Sequence, residues 1–445
     1  MKTIIYISLL SSLFLLGGCG DQVENLGGNP PPIMGAPDKG VFINKVDGLE
    51  YTRTLAPVAQ LTDNASTYSY RTGEIVNFHI GNLDIGDAIG LSVITPKEIV
   101  IYKNLELNTS IYSYEVNNRV RLLMSLDEDN NITNGIKISS ATRTAAKNWT
   151  TPDYSVDDTA FIAEVASATG GNVNITVSTD AAEVQFAKEL RCVYSGAYSG
   201  NWILESGAKT GFVGVMIQAS NTQDPHSNLG TIVTLGDGQD LNGDGNYDEF
   251  LFARGTHNMD TGYYDFNETG EFNVTAGSIV PSSQVVKGDG SSISYNNVKG
   301  SFTQTDPVTN ITSTGNYEAI RVGEGLDPSY RYTGFGYDNN TSDKNTTTDP
   351  ILGLFTFDVD SNGTVLGLIH DARNNEEPSL KGMVDFNTTS NNISMSLTYP
   401  NNGGTFLIKG TLAFDGTVNL DWFDENGTVK YGYIDGVGCQ LQPHN

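Results

Sequence analysis

Three cysteines, five histidines, three tryptophans and 25 basic side chains in 445 residues leave this chain short of the usual equipment for several functions. Set against 52 acidic residues, the few bases give a formal charge of −27. A body so acidic repels polyanions, which excludes nucleic acid as a partner. It equally excludes docking on an anionic membrane surface through a basic patch. Two or three cysteines and scattered histidines do not supply the four ligands of an ordinary zinc site. Gly-x-Ser-x-Gly, His-Glu-x-x-His, a phosphate loop and Cys-x-x-Cys are all missing, so the commonest hydrolase, metalloprotease, nucleotide and redox signatures are absent. His79 falls in an alternating strand pattern, His226 and His257 fall in loop-like stretches, and His370 closes a strand pattern. None has a catalytic setting. With so many acids, carboxylates adjacent in sequence say nothing about acid–base chemistry, which needs two of them placed in space.

What is plentiful is glycine, 49 residues, together with asparagine, threonine and serine; apolar residues make up 38% and charged residues 17%. The length suits two or three domains with a substantial core. Lys2 is the only charge in the first eighteen residues. An apolar run from Ile4 to Leu16 follows, too short to span a bilayer and flanked like a signal peptide covering residues 1–18.

The stretch Leu16-Gly17-Gly18-Cys19 resembles the lipobox of bacterial lipoproteins. That resemblance implies that Cys19 becomes the mature N terminus and carries lipid, held to the membrane by several acyl chains at about 0.8 kcal/mol per buried methylene. Gly20 stands where an inner-membrane retention Asp would, which implies a lipid-anchored outer-membrane location and leaves cell-surface display open. Residues 19–40 contain Gly-Gly-Asn-Pro-Pro-Pro and Gly-Ala-Pro. They read as a semi-rigid spacer reaching at most roughly 65 Å.

Residues 41–191 read as a β module with a helical insert. Val41-Phe42-Ile43, Leu49-Glu50-Tyr51 and the run from Thr67 to Gly81 alternate with period two between glycines. The glycine and aromatic positions Gly48, Tyr51, Tyr70, Gly73, Phe78 and Gly81 resemble a module of poorly characterised, adhesin-like bacterial surface lipoproteins. They carry fold, not chemistry. Helical patterning then appears near 111–126, with Val116, Val120, Leu123 and Met124 on one face. Ser155-x-x-Asp158 reads as a capping box for a helix running through Val165 and ended by Gly170-Gly171. Asp180-x-x-Glu183 opens another, with Val184, Ala187 and Leu190 on one side.

From 192 to 445 the helical period vanishes and the pattern is mainly β. Asn362-Gly363, Asn402-Gly403, Asp415-Gly416 and Asn426-Gly427 punctuate alternating runs as hairpin turns. This is a large antiparallel β-meander domain, a barrel or sandwich, as one body or two packed units. The tail from about 351 reads as an up-and-down meander. In an exported protein Cys192 and Cys439 read as a disulfide. Closing so long a loop is worth about 5 kcal/mol in the chain-entropy description. It predicts that the first and last strands of the β domain are neighbours.

Asp240, Asn242, Asp244, Asn246 and Asp248 place oxygen ligands at positions 1, 3, 5, 7 and 9 of a loop with Gly245 at the sharp turn. The residue at position 7 offers its backbone carbonyl. Leu251 at position 12 and strand-like flanks separate it from an EF-hand. It is similar to the short Asp-rich loops between strands of calcium-dependent surface proteins, and calcium is the expected cofactor. Asp127 to Gly135 and Asp358 to Gly363 have weaker versions of the spacing and read as polar turns. Tyr194, Tyr198 and Trp202 would share one strand face and read as core. Tyr330, Tyr332, Phe335 and Tyr337 precede a long polar run to Pro350 and read as a candidate binding loop. The leading functional expectation is a lipid-anchored binding protein whose ligand is another surface, a glycan or a protein. A polysaccharide hydrolase and a passive envelope component are the alternatives.

Overall fold

The computed structural model describes residues 37–445, except 44, 107–108, 132–133, 208–209, 221, 237–249, 270–272, 276–277, 281–284, 293–294, 306–309, 323–327, 347–348, 350, 372–378, 386–391, 399–403, 414–415 and 442–445. It opens with short strands: β1 (Asp38–Phe42), β2 (Val46–Asp47), β3 (Glu50–Arg53), β4 (Ala56–Leu61), β5 (Thr67–Tyr70), β6 (Ile75–Ile80), β7 (Leu83–Ile89) and β8 (Val93–Ile94). The order β4-β3-β6-β7 makes one sheet and β5-β1-β8 another. The alternation that predicts these strands is visible in their burial: Val76, Phe78 and Ile80 of β6 are enclosed while Ile75, Asn77 and His79 are only partly covered.

Among the described residues five helices follow: α1 (Pro96–Asn104), α2 (Tyr114–Ser125), α3 (Ser140–Ala146), α4 (Asp158–Thr169) and α5 (Thr179–Tyr194), with the two-residue β9 (Ile136–Lys137) between α2 and α3. α2 buries the expected Val116, Val120, Leu123 and Met124. It also encloses Asn118 and Arg119, which donate to the carbonyls of Tyr154, Val156, Ile85 and Glu115. Two helix starts differ from the sequence expectation. Asp157, not Ser155, caps α4, accepting from the amides of Thr159 and Ala160. Ser155 turns back to Asp153 instead. Ser178, not Asp180, caps α5. In both cases a residue two positions away already presents an oxygen to the free amides, so either candidate satisfies the same need. Gly170 ends α4 in the left-handed conformation, as its place after the apolar face requires.

The region beyond α5 forms two eight-stranded barrels. The first uses β10 (Gly196–Leu204), β11 (Thr210–Ile217), β12 (Leu229–Gly236), β13 (Phe250–His257), β14 (Tyr263–Thr269), β17 (Val285–Ser291), β18 (Asn297–Thr305) and β19 (Thr312–Arg321), with a hairpin of β15 (Asn273–Thr275) and β16 (Ser278–Val280) hanging on β13. Pairing of β12 with β13 closes the ring. The second barrel runs up and down in chain order: β20 (Pro328–Tyr337), β21 (Ile351–Asp360), β22 (Thr364–Asp371), β23 (Ser379–Asp385), β24 (Asn392–Thr398), β25 (Thr405–Leu412), β26 (Thr417–Phe423) and β27 (Lys430–Gln440), with β27 back against β20. The meander therefore begins before 351, at the aromatic stretch Tyr330 to Tyr337, which the sequence pattern presents as a candidate binding loop and the structure builds as a strand. Closure leaves no free sheet edge in either ring.

Barrel one shares a continuous buried core with the N-terminal module, through residues such as Tyr194, Tyr198, Tyr295 and Phe302. Barrel two has its own core, lined by Tyr332, Phe355, Phe357, Met395 and Trp422. A third, smaller cluster lies between the barrels, where Met216 and Ile232 of barrel one meet Tyr337, Ile351, Leu354 and Tyr433 of barrel two. Of the expected strand face, Tyr198 and Trp202 are buried on β10, but Tyr194 belongs to the last turn of α5.

Candidate functional site

The two barrels are fixed to each other and to α5 by a buried polar junction. α5 ends with unsatisfied carbonyls, the negative end of its dipole, and two arginines collect them. Arg321, at the end of β19, donates to the carbonyls of Val193 and Ser195, to Tyr295 O and to the Tyr198 hydroxyl. Arg331, on β20, reaches Cys192 O and Ser195 O at 3.2 Å each and holds Asp358 with both arms of its guanidinium, at 2.9 and 3.0 Å. Burial draws Arg321 down to about 10 although Tyr198 beside it favours the charge. Burial acts on Arg331 too, but the Asp358 carboxylate outweighs it and holds Arg331 above its ordinary range. Gly196 must be glycine, because a side chain there would meet the Arg321 guanidinium and its φ is +135°.

Cys192 and Cys439 are bonded at this same place, with Cα atoms 5.5 Å apart. The disulfide is as expected; its neighbours are not. Cys192 lies on α5 and Cys439 on β27, so the bond ties the helix to the last strand of barrel two and spans barrel one. The first and last strands of the β region belong to different rings, and β27 pairs with β20 and β26.

The aromatics of the expected binding loop lie within β20 instead. Alternation divides them: Tyr330 and Tyr332 point into the core of barrel two, while Phe335 and Tyr337 join the cluster between the barrels. The run after them folds back on itself around Asp349, which accepts from the Asn339 side chain, the Asn345 amide and the Tyr433 hydroxyl at 2.8, 2.8 and 2.9 Å. These bonds hold the Asp349 carboxyl below its ordinary range. Lys344 crosses to Asn419 and Asp421 on β26.

Beside this fold-back lies a cleft of about 510 Å³ between the barrels. Barrel one contributes Gln218, Asn228, Thr231 and Arg254; barrel two contributes Phe335, Tyr337 and Asp435. The Ala219 amide donates to Thr333 Oγ1 at 2.7 Å and closes one wall. Gly230 leaves room for the Gln218 side-chain oxygen, which occupies the space a Cβ would need. Thr231 has a buried hydroxyl without a hydrogen-bond partner. Desolvation raises the Asp435 carboxyl, with Lys344 opposing. Tyr337 is pushed up to about 12, by burial first and by Asp435 next, against the pull of Arg254.

A second depression, of about 520 Å³, lies on the outer face of barrel one and shares Asn228 with the cleft. Tyr263 is 51% exposed there. Asp265 and Asp289 stand directly opposite each other on β14 and β17 and line it together. Thr256 donates to Asp265 and Ser301 to Asp289, each at 3.0 Å. No motif marks these positions. The only hint was the outward phase of alternating strands, in which Tyr263 and Asp265 flank the inward Tyr264.

Several other candidates have ordinary roles. His257 ends β13 and is buried, not in a loop; its Nε2 lies 2.7 Å from Ser292 Oγ and its ring packs 4.5 Å from that of Tyr194. Burial lowers its pKa to about 3, so it is neutral. His226 lies 4.4 Å from the Tyr112 ring, and His79 sits on β6 near Glu50. Asp127 accepts from the Lys137 amide and Asp129 from Asn131 and Asn134, the bonds of a polar turn. Asp360 accepts from the amides of Asn362 and Thr364 in the β21–β22 hairpin. Among the described residues no group of three or more His, Cys, Asp or Glu side chains converges. The loop expected to hold calcium, Asp240, Asn242, Asp244, Asn246 and Asp248, lies outside the described residues, as does Cys19.

No protein-family model and no curated protein matches this sequence. Among solved structures it is similar to EF1p2_mFAP2b bound to DFHBI, with 12% identity over 30% of this chain and 98% of that one and a TM-score of 0.21. It is also similar to intact Ap-TbpB with its N and C lobes, with 8% identity over 55% of this chain and 76% of that one and a TM-score of 0.18. A mutant of the vaccine antigen transferrin binding protein B from Haemophilus parasuis Hp5 gives 7% identity over the same shares and a TM-score of 0.17. Likeness at these scores carries no function from one protein to another. The fold stands on the strand pairings given above.

Proposed function

We propose that this chain is a lipid-anchored envelope protein, held at the outer membrane or cell surface through Cys19, that works by binding at the concave surface between and beside its barrels. One observation carries the reading. Both rings are closed, and a three-way lock of Arg321, Arg331 and the Cys192–Cys439 bond ties each of them to the end of α5, with a cleft between the barrels. A lock of this kind preorganises a recognition surface. The spacer before residue 40 supports it by giving reach from a bilayer, and calcium at Asp240 to Asp248 would brace the β12–β13 connection.

The test uses the full chain. Cells expressing it are labelled with palmitate and treated with protease while intact. Loss of label in Cys19→Ala, together with shaving of the wild-type protein, is the expected result. The purified mature protein should then retain envelope material, and an Arg254→Glu variant should retain less. A wild-type protein that takes no label and captures nothing sinks the proposal.

A second reading, a polysaccharide hydrolase, is favoured by Asp265 and Asp289. The two stand directly opposite each other on neighbouring strands, so both carboxylates leave the same face of the sheet, as a pair of acids acting on one glycosidic bond must. Release of reducing ends from envelope polysaccharide by the wild type and not by Asp289→Asn would establish it; no release from any would remove it.

A further inference from the structure

The inter-barrel cleft and the depression on barrel one meet at Asn228, and Gly255 and Thr256, neighbours on β13, line one each. We propose that the two form a single track that binds a neutral, extended saccharide chain. The proposal rests on the reading that this protein binds at its concave surface, and it names the class of ligand.

Charge is the first argument. The whole chain has 25 bases against 52 acids, whereas the lining of the track carries Arg254 and Lys299 against Asp265, Asp289 and Asp435. A near-balanced strip in so acidic a body neither attracts a polycation strongly nor admits a polyanion. The second argument is the kind of group presented. Asn228, Asn258, Gln218, Thr256 and Ser291 offer amides and hydroxyls, which match a ligand dense in hydroxyl groups, and the side chains of Asp265 and Asp289 add acceptors for such groups. The third is aromatic placement. Tyr263 stands half exposed in one depression and Phe335 half-buried in the other. Apolar ring surface flanked by polar groups suits the C–H faces of pyranose rings. The two depressions, of about 520 and 510 Å³, each fall in the size range of small-ligand sites and share Asn228.

Isothermal titration of the full mature protein with cellohexaose, maltohexaose and chitohexaose, and with a heparin hexasaccharide as the anionic control, tests this. At least one neutral hexamer should bind and its trimer should bind more weakly. Affinity should fall about tenfold in Tyr263→Ala, with an unchanged unfolding midpoint, because that side chain is exposed. Phe335→Ala should weaken the same hexamer from the other depression. The inference is overturned if no neutral hexamer binds at millimolar concentration, if heparin binds in their place, or if Tyr263→Ala and Asn228→Ala both bind as the wild type does. Failure here with envelope capture intact refutes the ligand class and leaves the binding reading standing.

Discussion

His257 gives a sharp test of how the N-terminal module and barrel one hold together. Its imidazole is fully enclosed, with Nε2 on Ser292, Nδ1 without a partner, and the rings of Tyr194 and Tyr264 against it. Burial brings its pKa from 6.5 to about 3, and Lys97 adds to the shift. Above pH 6.5 the imidazole is neutral whether the chain is folded or not, and pH has no effect through it. Below 6.5 the unfolded chain takes up a proton that the folded protein refuses. Stability therefore falls by about 1.4 kcal/mol for each pH unit until about pH 3, a total of up to about 5 kcal/mol. Acid-range carboxylates such as Asp349 and Asp424, held low by hydrogen bonds, lose their contribution in the lower part of that range. The readout is therefore a difference. His257→Gln keeps a hydrogen-bonding side chain for Ser292 and removes the titration. Urea unfolding is measured for both proteins at pH 8, 6.5 and 5. Between 6.5 and 5 the wild type should lose about 2 kcal/mol more than the variant. Equal losses to within about 0.5 kcal/mol would mean that His257 titrates normally, and the account of a sealed polar core would be refuted.

Replacing both Cys192 and Cys439 with serine should lower stability by up to about 5 kcal/mol, since the bond closes a loop of 247 positions. Urea unfolding should then show barrel two melting ahead of the rest. Arg331→Met leaves the Asp358 carboxylate buried without its partner and should cost about 3–5 kcal/mol; adding Asp358→Leu should recover most of it, as a double-mutant cycle will show. Millimolar calcium should raise the thermal midpoint of the wild type, and Asp244→Ala should abolish that rise in the same scan.

The elements that the sequence made legible are those whose signal is local. Alternation in β6 and β26, the turn at Asn362-Gly363 and the stop at Gly170-Gly171 each follow from period, φ and capping within a few residues. The helix faces of α2 and α5 were readable for the same reason, while their caps slipped because neighbouring polar residues compete for the same amides. The aromatic run at 330–337 was misplaced because four aromatics and two glycines ahead of a polar stretch look alike in a loop approach and in a strand that faces two cores. Only the barrel it belongs to separates Tyr332 from Phe335.

Charge balance, strand and helix periods, the cysteine pair and the lipobox-like segment were all determined by the order of residues alone, because each depends on neighbours along the chain or on totals. The closing of one β region into two rings, the meeting of Arg321, Arg331 and Asp358 at the end of α5, and the place of Asn228 in the lining of two depressions, with Tyr263 in one and Phe335 in the other, were decided only in three dimensions. Those contacts join residues tens to hundreds of positions apart, and pairing between strands depends on which surfaces remain to be buried once local structure has formed. Arg331 shows the difference well: in sequence it is a lone charge between two tyrosines, and in the fold its guanidinium is the one point that touches a helix end, an acid on the next strand and the backbone beside the disulfide.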